Sequence, residues 1–507
     1  MLVEYQQSSL LTLGLVGLPV AGVLLGFPFS ERLFRWVSLF VSLLGTGLAI
    51  HLFLHFDATI AGPQFIFDKV WIQGLNIHFA LSVDGLSLPL VFLTKLMVPI
   101  SILSSWKISQ SPKTFMSCFL LLDVAMTGTF LASDIFVFYL FWETVLLPML
   151  LIIGVWGGSE RIYATLKFFL FTFAGSIFML GAVLWVFIAH QQQLGFYSSD
   201  IQSLYRVTLS SEPTLAGLSS STLVFLAFLI AFAVKIPLFP LHTWLPDAHV
   251  QAPTGGSILL AAVLLKMGTY GLLRFGIPLA PDGFRDCVPL LVTLGLTGAL
   301  YGAWVAFQQT DFKRLVAYSS VSHLGIIVVG ICSMNSEGLM GSMLQMVNHG
   351  LSTGALFMLV GILYERRHSR LFSDYGGIAA VMPWYSVSLV VVACSSMGVP
   401  GLNGFVGEFL VLFGVFKAVP LWGAIATLTL VFGAAYTLTM VRKVVFGPIT
   451  CPENKGLSDL SVREWVALLP LLFLILWLGV SPKPFMAKMD RAVSQYWEQA
   501  LSGANKR

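Results

Sequence analysis

Long apolar runs alternate with short polar stretches along almost the whole chain. A helix needs about 20 apolar residues to cross the hydrocarbon of a bilayer, and roughly 14 runs of that length occur. They fall near 9–28, 33–54, 84–106, 114–131, 134–156, 162–189, 221–248, 256–276, 287–308, 314–333, 338–364, 384–415, 421–446 and 464–481. The longest polar excursions, 55–83 and 190–220, are too short for a separate soluble domain. The pattern predicts an all-α integral membrane protein, with one polytopic domain over 1–482 and a polar C-terminal tail over 483–507.

Composition agrees. Hydrophobic residues make up 57% of the 507 and charged residues only 10%, where a soluble chain carries about a quarter charged. So little polar material cannot cover a body folded in water, and the solvent must be lipid. The net charge of +4 is dispersed over loops, which excludes the basic stripe of a nucleic-acid binder. Cys118, Cys287, Cys332, Cys394 and Cys451 form no C-x-x-C pair, so neither a zinc site nor a cluster site is indicated. The N-terminus lacks a basic n-region and a small-residue cleavage site, so the first run is expected to stay as a helix.

Orientation follows from the loop charges. Loops after odd-numbered runs hold about 15 Lys and Arg, among them Arg32, Arg161, Lys313, Arg314, Arg366, Arg367, Arg442 and Lys443; the opposite loops hold about 5, and the tail about 5 more. The richer side is expected to be cytoplasmic, and an even number of runs then places both termini on the opposite side.

That bookkeeping leaves ionisable residues inside the runs: Lys95, Lys235, Lys266, Asp123, Glu143 and Glu408. His242, His249, His323 and His349 lie in or near them. A charge at mid-bilayer costs several kcal/mol and usually marks an ion pathway.

Two runs are interrupted. In AFAVKIPLFPLHTWLPDAHVQAPTGG (231–256), Pro237 and Pro240 fall just after Lys235 and disfavour continued helix. In SSMGVPGLNGFVGEFLVLFG (395–414), Pro400 and its neighbouring glycines precede Glu408. A broken membrane helix frees carbonyls beside a polar cavity, and two breaks at corresponding places in two halves point to an inverted repeat. The plain alternatives are a proline kink with a snorkelling lysine and a glycine-rich packing face with one tolerated acid.

Glu143, in FVFYLFWETVLLPML, and Lys235 each need a partner of opposite sign, and the sequence offers one to the other. Such a pair is either a proton switch or a static ion pair fixing helix packing. Lys266 has no acidic neighbour in sequence, and buried lysines are versatile proton-exchange groups. His323 and His349 can relay protons or simply pack. Ser319, Ser320, Ser322 and Thr353 can order water beside them. Lys95 faces a lipid headgroup or a protein partner or serves structure, the last favoured, and Asp123 either extends the acidic end of a path or caps a polar cluster. No phosphate-binding glycine loop or dinucleotide fingerprint is present. Any pumping must draw its energy from another chain.

These residues resemble the antiporter-like membrane subunits of respiratory NADH:quinone oxidoreductase, complex I, and among them the M type, counterpart of mitochondrial subunit 4. The resemblance covers nearly the whole chain. It is carried by FWETVLLPM, WGGSERIYATLKFFLFTFAGS, KIPLFPLHTWLPDAHVQAPTGGSILLAAVLLKMGTYGLLRF, DFKRLVAYSSVSHLG, NHGLSTGALFMLVG and VPGLNGFVGEFLVLFG. It implies about 14 transmembrane helices with two inverted five-helix repeats, near 114–276 and 287–446, each holding one broken helix. It implies that Glu143, Lys235, Lys266, His323, His349 and Glu408 form a proton path; Asp123 and His242 are secondary candidates from the residues themselves. Glu408 looks like the terminal acid of the M type, where the related L and N subunits and Mrp-type cation antiporters typically carry lysine. It implies no cofactor in this chain, with NADH, FMN, iron–sulfur clusters and quinone in partner subunits. The partners implied are membrane-arm subunits of types L, N, K, J, A and H, with lipids and protons. A subunit of an Mrp-type sodium/proton antiporter, or of a related membrane-bound hydrogenase or ferredoxin-linked complex, is the alternative. Lys95 has no place in the family pattern.

Overall fold

The computed structural model describes residues 2–215, 217–449 and 451–501. Every apolar run is helical. The first six are α1 (Leu2–Gly26), α2 (Glu31–His55), α3 (Leu88–Ser104), α4 (Pro112–Leu131), α5 (Ile135–Trp156) and α6 (Arg161–Leu194). The next run is shared by α7 (Ser220–Lys235) and α8 (Trp244–Gln251), and α9 (Thr254–Leu279) follows. Then come α10 (Pro281–Phe307), α11 (Phe312–Ile331) and α12 (Ser336–Arg367), the broken pair α13 (Pro383–Ser396) and α14 (Asn403–Ala418), α15 (Pro420–Val444) and α16 (Val462–Val480). Of these, 11 are single helices long and apolar enough to cross a membrane. The other three runs hold the 17-residue α3 and the two broken pairs, whose first halves α7 and α13 are too short to cross alone.

Two successive sets of five share one order. The first runs α4, α5, the 34-residue α6, a broken pair and α9; the second runs α10, α11, the 32-residue α12, a broken pair and α15. Both breaks therefore fall fourth in their set.

Burial separates core from periphery. The membrane windows of α9 and α12 are 100% buried, whereas those of α1 and α2 are 33% buried and those of α15 and α16 39%. A wholly apolar helix buries all round only inside a bundle. Small residues permit the close approach: a side chain at Gly350 of α12 would collide with Leu93 of α3 and the Ala262 backbone of α9.

Both polar excursions carry structure. Within 55–83, β1 (Gln64–Ile72) and β2 (Ile77–Val83) pair as an antiparallel hairpin, with Asn76 in the left-handed region at its turn. The segment read as a polar tail is α17 (Lys483–Leu501), docked on the same face as the hairpin; residues 502–507 lie outside the described part. Phe485, Met489, Val493 and Tyr496 bury at helical spacing, Tyr496 donates to Leu273 O at 2.6 Å, and the Lys488 ammonium donates to Phe56 O at 2.8 Å. So few apolar residues leave the segment polar by composition, which hides a surface-docking helix from a hydropathy reading.

Candidate proton-transfer site

The first break ends α7 at Lys235. Pro237 cannot donate to the helix ladder, and the chain turns through Leu238, whose N–H reaches Ala233 O at 2.9 Å. A further carbonyl, Val234 O, accepts the Trp244 indole N–H at 2.9 Å from the start of α8. Lys235 is 1% exposed, and its ammonium has no hydrogen-bond partner among the described residues. It lies 4.9 Å from the ring centroid of Trp142, the residue before Glu143. An ammonium over an aromatic face at that distance is held electrostatically.

The expected Glu143–Lys235 ion pair is not formed. No nitrogen–oxygen contact within 4.0 Å joins them, and the inner oxygen Oε1 of Glu143 has no partner. The hydroxyls of Ser176 and Tyr139 face the carboxylate instead. The indole occupies the ammonium, so the two charges interact through space rather than in contact.

In α9, Lys266 sits on the α-helical stretch Leu265–Gly271, flanked by π-helical stretches Leu260–Leu264 and Leu272–Gly276. The wider turn changes the local hydrogen bonding: Leu265 N–H reaches back five residues to Leu260 O, and Ala261 O accepts the Lys266 ammonium at 2.6 Å. Such π-turns recur at functional positions because they expose backbone polar groups. The same ammonium lies 2.7 Å from His349 Nδ1 on α12.

From His349 the row continues. Its ring centroid is 5.6 Å from that of His323 on α11, and His323 Nδ1 is 3.3 Å from Glu408 Oε1 on α14. Gln345 Nε2 donates to the same Glu408 oxygen at 3.2 Å, and Tyr436 OH lies 3.3 Å from His323 Nε2. The spatial order is thus Lys266, His349, His323, Glu408, with the two histidines reversed relative to the sequence.

Glu408 lies on the second turn of α14, after the break. Gly398 has a positive φ of 69°, and a side chain there would collide with the Glu408 carboxylate. Around the break, Asn348 Nδ2 donates to Asn403 O at 2.7 Å, and Ser352 and Ser395 share a hydrogen bond of 2.6 Å. A cavity of about 20 Å³ lies against His323, Glu408, Ser322, Ser396, Thr429 and Tyr436, large enough for about one water.

The remaining candidates separate from this row. Asp123 pairs with Lys95 at 2.8 Å, both fully buried between α4 and α3; Lys95 also donates to Leu15 O at 2.5 Å and Thr127 to Asp123 at 3.1 Å. Sequence alone does not join the two, since 28 positions separate them and they lie on different helices. His242, in the loop between α7 and α8, packs on Phe239 and Tyr301 with ring centroids 5.6 and 5.2 Å away. Two features were missed outright. One is Tyr436, an apolar-looking residue whose hydroxyl reaches His323. The other is the pair formed by Arg274, at the end of α9, and Asp84, just before α3.

This is a bundle with two broken helices around a buried row of titratable side chains, the architecture of an antiporter-type membrane protein. Residues 132–433 match the family described as NADH:quinone oxidoreductase/Mrp antiporter, and residues 35–133 match the amino terminus of NADH-ubiquinone oxidoreductase chain 4. The chain belongs to the chain 4, or subunit M, family of NADH:quinone oxidoreductase. It is 43% identical over 463 residues to NADH-quinone oxidoreductase subunit M of Rhodobacter capsulatus, covering 90% of this chain and 88% of that one. It is 40% identical over 486 residues to NADH-ubiquinone oxidoreductase chain 4 of Arabidopsis thaliana, covering 95% and 96%. A chain of respiratory complex I from Thermus thermophilus superposes with a TM-score of 0.87 at 34% identity, covering 97% of this chain and 99% of that one.

Proposed function

We propose that this chain moves protons across the bacterial inner membrane as an antiporter-like subunit of NADH:quinone oxidoreductase. The observation that carries the reading is the buried row Lys266–His349–His323–Glu408, which links four helices and ends at a broken one. Each member exchanges a proton, and each neighbour is close enough for direct transfer or transfer through one water.

Glu143 and Lys235 form the input end. Charge displacement in a neighbouring subunit shifts Glu143, which alters how firmly Lys235 holds its proton against Trp142. Lys235 then exchanges with Lys266, and the proton passes along the histidines to Glu408. The matching order of the two five-helix sets supports an inverted repeat: after five crossings the chain emerges on the opposite side, so the second set runs inverted. Both termini lie on the periplasmic face, opposite the basic loops.

Electron transfer takes place in partner subunits, which carry NADH, FMN, iron–sulfur clusters and quinone. Membrane-arm subunits of types L, N, K, J, A and H adjoin this chain. The Mrp-type antiporter is the second reading, favoured by the shared family description of residues 132–433. The experiment is mass spectrometry of the intact complex purified with this chain. Flavin- and cluster-bearing NADH dehydrogenase subunits support the proposal. Small membrane subunits without redox proteins, with sodium-dependent transport, support the Mrp reading and overturn it.

A further inference from the structure

A cavity of about 630 Å³ opens among the loops that carry the basic excess. Its lining comes from the ends of α3, α5, α8 and α12 and the starts of α9 and α11, including Lys107, Gln251, Thr254, Lys313 and Arg370. Lys313 is mostly buried, and its ammonium donates to Ala252 O at 2.5 Å. The vestibule therefore sits directly outside the α8–α9 junction, and its lining residues Val250 and Gln251 follow His249 directly in the chain.

His249 is an unusual residue. It is 0% exposed, and neither ring nitrogen has a hydrogen-bond partner among the described residues. Its ring lies flat on Phe357 of α12, with centroids 4.4 Å apart and planes within 10°. Its own carbonyl accepts Ser257 Oγ at 3.2 Å. The groups that act on it electrostatically are Lys313 on the vestibule side and Lys266 on the path side, and His249 in turn acts on His349. A buried imidazole whose nitrogens meet no partner is destabilising unless water reaches it. A packing residue would meet this site with Leu or Phe at no such cost.

We propose that His249 is the uptake relay between the basic-side vestibule and Lys266. This rests on the proton-path reading above and adds its entry residue. Vestibule water gives a proton to one ring nitrogen while the other nitrogen gives its proton, through intervening water, to a neutral Lys266 amine. A half-turn of the ring within its stack on Phe357 then restores the starting tautomer. No atom is gained or lost over the cycle except the transferred proton.

The test uses the intact complex in proteoliposomes, with NADH oxidation and membrane potential recorded together for His249→Phe, His249→Gln and Lys266→Ala. His249→Phe keeps an aromatic ring on Phe357 and removes proton exchange. Both His249 variants should assemble and lose about fivefold or more of the potential generated per NADH oxidised. A third variant, His249→Gly, is run with and without imidazole, which should restore a measurable part of the potential; membrane potential is the readout because a permeant weak base does not collapse it. Normal pumping by His249→Phe beside a defective Lys266→Ala overturns the relay alone. Normal pumping by Lys266→Ala as well overturns the path on which it rests. Loss in all His249 variants without imidazole rescue assigns His249 to packing and overturns the proposal.

Discussion

The ammonium of Lys266 lies 2.7 Å from Nδ1 of His349, joining the two most deeply buried helices of the bundle. When Lys266 is the ammonium it only donates, so Nδ1 accepts and His349 carries its proton on Nε2; when Lys266 is the neutral amine, Nδ1–H donates to it instead. Nε2 has no partner among the described residues. A proton passed to Nδ1 must leave from Nε2, and the next titratable ring is that of His323, 5.6 Å away between centroids. The geometry lets the imidazole take a proton at one ring nitrogen and release one from the other.

His349→Gln should therefore keep polarity but stop transfer. We expect intact assembly and a loss of proton translocation of about tenfold or more, measured as protons moved per NADH oxidised in proteoliposomes.

Glu408 makes the same point at the far end. Glu408→Gln preserves an oxygen for the Gln345 amide and the space beside Gly398. It removes the carboxylate that faces His323 Nδ1 at 3.3 Å. Pumping should fall by about tenfold while the complex assembles and binds NADH normally.

Trp142 holds Lys235 in the absence of a contact with Glu143. Trp142→Leu removes the ring face, worth about 0.5–2 kcal/mol to a desolvated ammonium. Coupling should weaken several-fold, whereas Trp142→Phe, which keeps a π-face, should retain most of it. Paired measurements of electron transfer and proton movement separate the two.

Lys95 and Asp123 should behave as packing rather than path. Removing one partner leaves a buried unpaired charge, a cost of about 3–5 kcal/mol. Asp123→Asn or Lys95→Met should reduce the amount of assembled complex, and the double variant Lys95→Met/Asp123→Leu should recover both assembly and pumping. A double variant that assembles but does not pump would return the pair to the proton path.

The third crossing begins at Leu88 rather than at residue 84, so Asp84 lies ahead of it, between β2 and α3. Burial pushes its carboxyl up, but the Arg274 guanidinium and the N–H groups of Leu86 and Ser87 outweigh this and hold it below the usual carboxylate range. A depressed folded value stabilises above the unfolded value, about pH 4, and that stabilisation is lost as pH falls through the folded one. Asp84→Asn should lower the thermal midpoint at pH 7 and narrow the difference from wild type below about pH 4.

The sequence was most legible where physics leaves few choices. Every apolar run became helix, because lipid permits a spanning segment no other unclosed form. Pro237, and Pro400 with Gly398 and Gly401, marked both breaks through their own backbone restrictions. Charges in apolar runs marked the residues of the central row. What sequence could not supply was pairing. Lys95 looked unplaceable until α3 and α4 brought it to Asp123. The Glu143–Lys235 contact failed because Trp142 occupies the ammonium. The two histidines exchanged order because α12, not α11, lies against Lys266. The docking of α17 depends on four side chains that composition averages away.

The most direct test of the account is Lys266→Arg in the intact complex. Arginine keeps the positive charge and much of the length of the side chain but does not give up its proton. The complex should assemble and bind NADH as wild type does, while proton translocation driven by NADH oxidation falls by about tenfold or more. Protons moved per NADH at the wild-type level would show that Lys266 contributes charge alone, and would contradict transfer along the row from Lys266 to Glu408.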